Sequence, residues 1–200
     1  MKRLRTAILI SGRGSNMRAI LDAAQASDYG AQAILVLSNR PGAAGLEYAE
    51  RSGAETAVID HKPFGDDREA FERQIQDILT GHDIQMVVLA GFMRILTPWF
   101  VGQWTGRMIN IHPSLLPKYT GLNTHQRAID AGDREAGCSV HWVTEGVDEG
   151  DVIAQARVAI EPGDTAETLA ARILHEEHAL YPKAVHLAAQ QIMLRSASAI

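Results

Sequence analysis

Short apolar runs alternate with amphipathic segments over the first ninety residues. The apolar runs end in glycine or polar turn residues, as buried strands do, and they predict strands at residues 6–10, 31–37, 56–59 and 86–90. Apolar residues spaced three and four apart predict helices at 17–26, 43–52 and 66–79. This alternation of strands and helices predicts a parallel sheet with helices on both faces.

The second half of the chain follows a different order. Its pattern predicts strands at Met108–His112, 139–143 and 152–158, then a long helix from residue 165 towards 193 that Pro182 could bend. The last two strands are close enough in sequence to pair across residues 144–151. We therefore predict an α/β fold: a mostly parallel, doubly wound, Rossmann-like sheet with a mixed C-terminal extension, in a single domain spanning residues 1–200.

Composition narrows the class of protein. The 200 residues are 46% hydrophobic and 22% charged, as in ordinary globular proteins, and the net charge of −5 with no basic block argues against a nucleic-acid partner. The first apolar run stops at Ile10, which is too short for a signal peptide or a membrane span. Cys138 is the only cysteine, so no intrachain disulfide can form. We expect a cytoplasmic protein without a membrane partner.

Asn110 and His112 stand out in the predicted strand Met108–His112. Successive side chains of a strand point to opposite faces, so these two residues share one face. Pro113 then ends regular pairing, which places an amide and an imidazole at the carboxyl end of a strand, where open α/β sheets bind ligands. The alternative is a buried histidine whose ring is satisfied by a local carbonyl; the neighbouring amide favours chemistry instead.

The glycine turn, residues 11–16 (Ser-Gly-Arg-Gly-Ser-Asn), joins the first strand to the first helix. A glycine turn leading into a helix N-terminus offers free N–H groups to a phosphate. The pattern is neither a Walker A loop nor a complete dinucleotide fingerprint. The alternative is a tight turn in which Ser15 or Asn16 caps the helix, and this role is compatible with phosphate binding.

Two further loops are candidates for the same edge of the sheet. The rim loop, residues 91–97, follows the fourth strand, and its apolar residues could line a pocket for a flat heterocycle or could simply be loop core. The acidic loop, residues 144–151, carries four carboxylates, and spacing alone cannot choose among them. A carboxylate beside a histidine favours the cationic ring. Clustered acids could also bind a metal, but no histidine or cysteine pair supports that alternative.

Glu177 interrupts an apolar stripe of the final helix. A carboxylate in such a stripe is costly unless it has partners, so it could cap another element or accept hydroxyl groups of a ligand. It shares the stripe with four residues: Leu169, Ile173, Leu180 and Tyr181.

Five motifs in one order resemble the folate-dependent formyltransferases, and within them those that act on glycinamide ribonucleotide. The resemblance covers roughly residues 5–190. Its motifs are the glycine turn, Gly-Phe-Met-Arg-Ile-Leu (91–96), Asn-Ile-His-Pro-Ser-Leu-Leu-Pro (110–117), Gly-Leu-Asn-Thr-His (121–125) and Glu-His-Ala-Leu-Tyr-Pro (177–182). The chain departs from the usual pattern at Thr120 and Asp151, outside the catalytic positions.

The resemblance implies transfer of a formyl group from 10-formyltetrahydrofolate, as co-substrate, to the amine of glycinamide ribonucleotide in de novo purine biosynthesis. It implies a catalytic set of Asn110, His112 and Asp148. Implied ligands of the ribonucleotide are Gly14, Ser15, Asn16 and Glu177. Implied folate contacts are Arg68, Met93, Arg94, Ile95, Leu96, Asn110 and Val147. The ribonucleotide-phosphate half would span about 1–105 and the catalytic and folate half about 106–195.

The resemblance also implies small-molecule partners, no metal, and a monomer or homodimer. Two alternatives remain within the group, formyltetrahydrofolate hydrolase and methionyl-tRNA formyltransferase. The first should carry a regulatory domain before the catalytic one, and the second a basic tRNA-binding domain after it. An alternative from another class is a non-catalytic nucleotide-binding module that uses only the glycine turn.

Overall fold

A seven-stranded sheet organises the computed structural model, which describes residues 3–197 of the predicted 1–200 domain. The strands lie in the order β3-β2-β1-β4-β5-β6-β7. The five parallel strands are β1 (Leu4–Ile10), β2 (Ala31–Ser38), β3 (Glu55–Val58), β4 (Met86–Leu89) and β5 (Met108–His112). The antiparallel strands β6 (Glu135–Trp142) and β7 (Val152–Ala159) extend it. The predicted mostly parallel sheet with a mixed extension is therefore confirmed.

Helices cover both faces of the sheet. They are α1 (Ser15–Ala23), α2 (Gly45–Arg51), α3 (Arg68–Gly81), α4 (Pro98–Gln103), α5 (Thr124–Asp130) and α6 (Ala166–Ala197), with a 3₁₀ turn at Lys62–Phe64. Strand β4 shows the division, since Val88 packs into the cluster under α1 and α6 while Val87 packs into the cluster under α3 and α4. This alternation follows from the two-residue period of a strand that is buried on both faces.

Several boundaries differ from the predicted ones. Strand β6 begins at Glu135 rather than 139, because residues 135–138 pair with β7, and Cys138 therefore lies inside the strand. Helix α1 begins at Ser15 after a left-handed Gly14 and has no side-chain cap, so the expectation that Ser15 or Asn16 caps it is wrong. The short helices α4 and α5 were not predicted. Thr97-Pro98 was a usable signal for α4, since Thr97 accepts the Phe100 N–H as its cap.

The final helix continues through Pro182 to Ala197. No helix within residues 3–197 is long and apolar enough to cross a membrane.

The order of strands brings three connections to one edge of the sheet. β1, β4 and β5 are neighbours, so the glycine turn, the rim loop and the end of β5 meet at their carboxyl ends. Hydrogen bonds join the first two: Ser11 N–H donates to the Gly91 carbonyl at 3.1 Å, and Met93 N–H donates to the Ser11 hydroxyl at 2.7 Å. The predicted adjacency of these segments is therefore confirmed.

Candidate active site

The His112 ring lies between two acceptors at the end of β5. Nδ1 is 3.2 Å from Oδ2 of Asp148, and Nε2 is 2.8 Å from the backbone oxygen of Tyr119. The ring is buried. Acceptors on both sides suit an imidazole that carries a proton on each nitrogen. The contact with a local carbonyl, which was the alternative to chemistry, is present together with the contact to Asp148.

Asp148 is the acidic-loop carboxylate that reaches His112. Its backbone has a φ of 57°, in the left-handed region, and its Oδ2 accepts the Gly121 N–H at 3.0 Å. The acidic loop thus turns sharply at Asp148, and a hydrogen bond joins it to Gly121 in the segment that follows the Asn110–Pro117 motif. Asp151 lies exposed at the far end of the loop. The spacing of four acids could not make this choice, and the loop geometry does.

Opposing effects determine the pKa of Asp148. Burial by itself would raise it, but the hydrogen bond with His141, the Gly121 N–H and the positive His112 ring outweigh burial and hold the pKa below its usual value. Asp148 is therefore a carboxylate at neutral pH.

His141 is a site residue that the sequence reasoning missed. It lies opposite Asn110 in the β5–β6 register, is buried, and brings Nε2 to 3.3 Å from Nδ2 of Asn110 and 3.5 Å from Oδ1 of Asp148. Nδ1 faces the Trp142 carbonyl at 3.0 Å. A histidine inside an apolar strand was the available signal. Its partners became evident only once the antiparallel register was known.

The glycine turn brings Asn16 against Glu177. Asn16 Nδ2 donates to Oε2 of Glu177 at 2.6 Å, across 161 residues of chain. Both residues are buried, and Oδ1 of Asn16 is a buried atom without a hydrogen-bond partner among the described residues. Burial raises the pKa of Glu177, while the hydrogen bond from Asn16 acts in the opposite direction. A buried acceptor without a partner in the described part of the chain, next to a buried carboxylate at the first turn of α1, is typical of a site for a polar ligand.

Gly14 and Ser15 complete this corner. Gly14 has a φ of 66° and sits at the start of α1, and Ser15, half-buried, is the first helical residue. The left-handed glycine lets the chain turn sharply into α1, and the first N–H groups of a helix have no partner within the helix itself.

The rim loop presents apolar side chains to solvent. Met93 and Ile95 are each 65% exposed, whereas Phe92 is buried and Leu96 packs partly into the core under α3. Phe92 and Leu96 therefore belong to the core, as the alternative interpretation expected, whereas Met93 and Ile95 form an exposed apolar surface that a ligand could contact. Arg68, the first residue of α3, donates to the Ile95 carbonyl at 3.4 Å.

Two other residues that the resemblance implies as folate contacts lie on the rim loop and on the acidic loop. Arg94 is half-buried within the rim loop, and Val147 is 51% exposed on the acidic loop beside Asp148.

Cys138 is not equipped for nucleophilic chemistry. It is buried in β6, and burial raises the pKa of its thiol to about 12. Within residues 3–197, no three histidine, cysteine or acidic side chains converge as a potential metal-binding group.

Comparison with known proteins extends over nearly the whole fold. The formyl transferase family model matches residues 4–185. Phosphoribosylglycinamide formyltransferase of Escherichia coli K12 is 47% identical over 175 residues, which are 88% of this chain and 82% of that protein. The crystal structure of phosphoribosylglycinamide formyltransferase from Brucella melitensis matches with a TM-score of 0.89 and 50% identity, covering 94% of this chain and 96% of that one.

The chain also matches part of a larger protein. The trifunctional purine biosynthetic protein adenosine-3 of Drosophila pseudoobscura pseudoobscura is 48% identical over 195 residues, and the human protein of that name is 45% identical over 188. The chain spans only 14% and 18% of these relatives' lengths. Given these matches and a site built at the carboxyl ends of β1, β4 and β5, the chain belongs to the formyl transferase family.

Proposed function

We propose that this protein transfers the formyl group of 10-formyltetrahydrofolate to the amine of glycinamide ribonucleotide, a step of de novo purine biosynthesis. The observation that carries the proposal is the His112 ring held between Asp148 and the Tyr119 carbonyl, two residues from Asn110 on the same face of β5. Its relatives of similar length are named for the same activity.

The reaction begins when the substrate amine attacks the formyl carbon. A C–N bond forms, and the carbonyl oxygen becomes an oxyanion that the Asn110 amide and the charged His112 ring stabilise. A proton then passes from the attacking nitrogen to N10 of the folate with the help of Asp148, whose lowered pKa keeps it ionised. The C–N10 bond breaks, the carbonyl re-forms, and the products are formylglycinamide ribonucleotide and tetrahydrofolate. No covalent enzyme intermediate is required, in agreement with the inert Cys138.

The ribonucleotide binds at the corner that joins α1 and α6. The backbone N–H groups of Gly14, Ser15 and Asn16 hold the phosphate, because a helix N-terminus stabilises an anion. Glu177 accepts the ribose hydroxyl groups, and its hydrogen bond from Asn16 keeps the carboxylate beside the phosphate site.

The folate lies across the rim. Met93, Ile95 and Leu96 offer apolar contact to its ring system, with Val147 on the opposite side and Asn110 at the formyl end. Arg68 and Arg94 provide positive charge for the carboxylates of the folate tail.

The remaining parts of the proposal concern location and partners. The buried, unreactive thiol of Cys138 is consistent with a reducing cytoplasm. We propose a monomer or homodimer with a ribonucleotide-phosphate half and a catalytic and folate half, acting on small molecules without a metal, a nucleic-acid partner or a membrane partner.

A product assay, together with a calorimetric titration of glycinamide ribonucleotide, separates this function from a hydrolase and from a non-catalytic module. The purified protein receives 10-formyltetrahydrofolate with or without glycinamide ribonucleotide, and tetrahydrofolate, formate and the formylated ribonucleotide are measured by mass spectrometry. We expect the formylated product only when both substrates are present. Formate released equally with or without the ribonucleotide would indicate a hydrolase, and ribonucleotide binding without either product would indicate a non-catalytic module.

A further inference from the structure

The Ser11 side chain joins the two loops to which the proposed function assigns different substrates. Ser11 opens the glycine turn directly after β1, and its hydroxyl oxygen accepts the Met93 N–H of the rim loop at 2.7 Å. Its own backbone N–H donates to the Gly91 carbonyl at 3.1 Å, so the two loops are bonded at two points. Ser11 therefore connects the glycine turn directly to the rim loop.

Asn39 determines the direction of the hydrogen bond between the Ser11 hydroxyl and the Met93 N–H. The Ser11 hydroxyl has one proton, which it donates to Oδ1 of Asn39 at 2.5 Å, and its oxygen is thereby left to accept from Met93. Asn39 follows β2, is fully buried, and donates its own backbone N–H to the Ile10 carbonyl at 3.4 Å. Since buried polar groups are costly to leave unpaired, Asn39 holds the hydroxyl in one rotamer.

The other end of the rim loop has an anchor that does not reach the glycine turn. Buried Glu72 of α3 accepts the Thr97 N–H at 2.8 Å and also the Thr97 hydroxyl. Between these anchors Met93 and Ile95 remain mostly exposed. The outer side of the rim loop is therefore open to solvent. Of the two anchors, Ser11 connects the loop to the glycine turn and Glu72 does not.

We propose that Ser11, fixed by Asn39, is a positioning residue that makes the two substrates bind cooperatively. The inference rests on the proposed function. A phosphate held by the glycine turn orders the backbone from Ser11 onwards, and through the Met93 hydrogen bond it orders the folate platform. The second ligand then loses less conformational entropy when it binds. By linkage, the folate must strengthen ribonucleotide binding by the same factor.

The test measures this factor in complexes that cannot react. Tetrahydrofolate carries no formyl group, so its dissociation constant is measured by calorimetry with and without saturating glycinamide ribonucleotide, and the reverse titration is also made. We expect tetrahydrofolate to bind wild-type protein at least about fivefold more tightly in the presence of the ribonucleotide. In Ser11→Ala the factor should fall to within about twofold of one. Asn39→Ala should lower it similarly, and the double variant should show no further loss, because both changes break one link.

Two control variants distinguish a link from general loosening. Ser38→Ala removes another buried hydroxyl, which among the described residues bonds locally to Arg40, and we expect it to retain the coupling factor. Glu72→Ala removes the acceptors of both Thr97 hydrogen bonds at the other anchor, so it should weaken tetrahydrofolate binding equally with and without the ribonucleotide.

The outcomes separate the two proposals. If wild-type protein binds both ligands without coupling, or if Ser11→Ala keeps the wild-type factor, the link is wrong and the proposed function stands. If wild-type protein binds neither ligand, the proposed function is wrong and the link is rejected with it. Should Ser11→Ala fail to fold, the coupling factor of Asn39→Ala, which frees the Ser11 hydroxyl to leave its rotamer, decides the proposal: a wild-type factor in that variant would reject the link.

Discussion

The surroundings of the His112 ring determine which single residues matter most for the proposed reaction. Asp148 lies beside Nδ1 of the ring and the Tyr119 carbonyl beside Nε2. His141 contacts both Asp148 and Asn110. The amide, two imidazoles and one carboxylate thus form a connected polar group at the carboxyl end of β5. Such groups act as units, so each member is tested by its effect on turnover rather than on folding alone.

Removing either oxyanion-stabilising group should greatly slow the reaction. We expect His112→Ala and Asn110→Ala each to lower kcat by about 100-fold or more, with much smaller changes in substrate affinity, because the charge they stabilise develops in the transition state. Steady-state kinetics and calorimetry measure the two quantities. His82→Ala is the matched control, since His82 caps the end of α3 outside the site and should retain wild-type turnover. Near-normal turnover in either site variant would contradict the assignment.

The choice of Asp148 among four acids is tested with a pair of isosteric variants. Asp148→Asn removes the carboxylate that lies 3.2 Å from Nδ1 of His112 and that the proposed reaction uses in proton transfer, so kcat should fall. Asp151→Asn, at an exposed position, should change little. Steady-state kinetics measure kcat of both variants; equal effects of the two variants would mean that another acid is responsible.

Glu177 connects stability to ligand binding through its pKa. Burial raises that pKa above its ordinary value of 4.5, so the fold favours the neutral acid, and its contribution to stability is lost as the pH rises through the raised pKa. Glu177→Gln never ionises and should therefore be more stable than the wild type at pH 7, with the difference vanishing below about pH 4.5. It should bind glycinamide ribonucleotide more weakly. Urea unfolding at pH 4 and pH 7 checks the first expectation; a less stable variant at pH 7 would mean that the Asn16 hydrogen bond outweighs burial.

At the scale of elements, helix α6 is the part that closes the site. It brings Glu177 to the glycine turn and, four residues on, buries Tyr181 between the sheet and the helix layer. The Tyr181 hydroxyl donates to the Leu89 carbonyl at 2.8 Å, at the end of β4 and directly before the rim loop. Burial raises the pKa of this hydroxyl well above its usual range, so it remains a donor. One helix therefore secures both the ribonucleotide corner and the strand that carries the rim loop.

This anchoring can be measured by removing one oxygen atom. Tyr181→Phe leaves the buried Leu89 carbonyl without that donor and should lower the free energy of unfolding by about 1–3 kcal/mol. Tyr48→Phe, which removes a hydroxyl that is bonded to Asp22 at the surface, should change it by less than about 0.5 kcal/mol. Urea denaturation compares the two. Equal changes would show that the Leu89 contact contributes no more than a surface hydrogen bond.

At the scale of the whole molecule, two apolar clusters share one sheet. The cluster under α1 and α6 contains Ile173, and the cluster under α3 and α4 contains Ile75; both side chains are fully buried. Neighbouring residues of the same central strands enter opposite clusters, so the loss of either cluster removes support from the strands of the other. This shared sheet is the physical basis for predicting a single cooperative domain.

Truncation in each cluster tests that cooperativity. Ile75→Ala and Ile173→Ala should each lower the stability of one common unfolding transition by about 2–5 kcal/mol, because each leaves a cavity in a close-packed core. Val58→Ala, at a 47% exposed position of β3, is the control and should cost far less. Denaturation followed by fluorescence and by circular dichroism should coincide for all three variants. Two separate transitions, each shifted by one variant, would contradict the single domain.

Much of the fold could be predicted from local pattern. Strand β5 has the predicted bounds, Met108–His112, and the other predicted strands and helices exist with shifted ends, since the period of apolar side chains is a property of neighbouring residues. The short helices α4 and α5 were missed although α2, which is seven residues long, was predicted; for α4 the available signal was the Thr97-Pro98 start rather than a period of apolar residues. The start of β6 was missed because it depends on pairing with β7, which no local pattern records.

The sequence by itself determined which chemistry the chain could offer: an amide and an imidazole on one face of a strand end, a glycine turn before a helix, and a carboxylate in an apolar stripe. Only the tertiary structure decided which groups meet. It placed Asp148, which spacing could not distinguish from the other acids and which the family resemblance had named, beside His112. It also brought in His141 through the antiparallel register and joined Asn16 to Glu177 across 161 residues. The physical reason is that alternation along a strand or helix is set by nearest neighbours, whereas contacts between distant residues depend on strand order, register and loop conformation, which the packing of the whole chain determines.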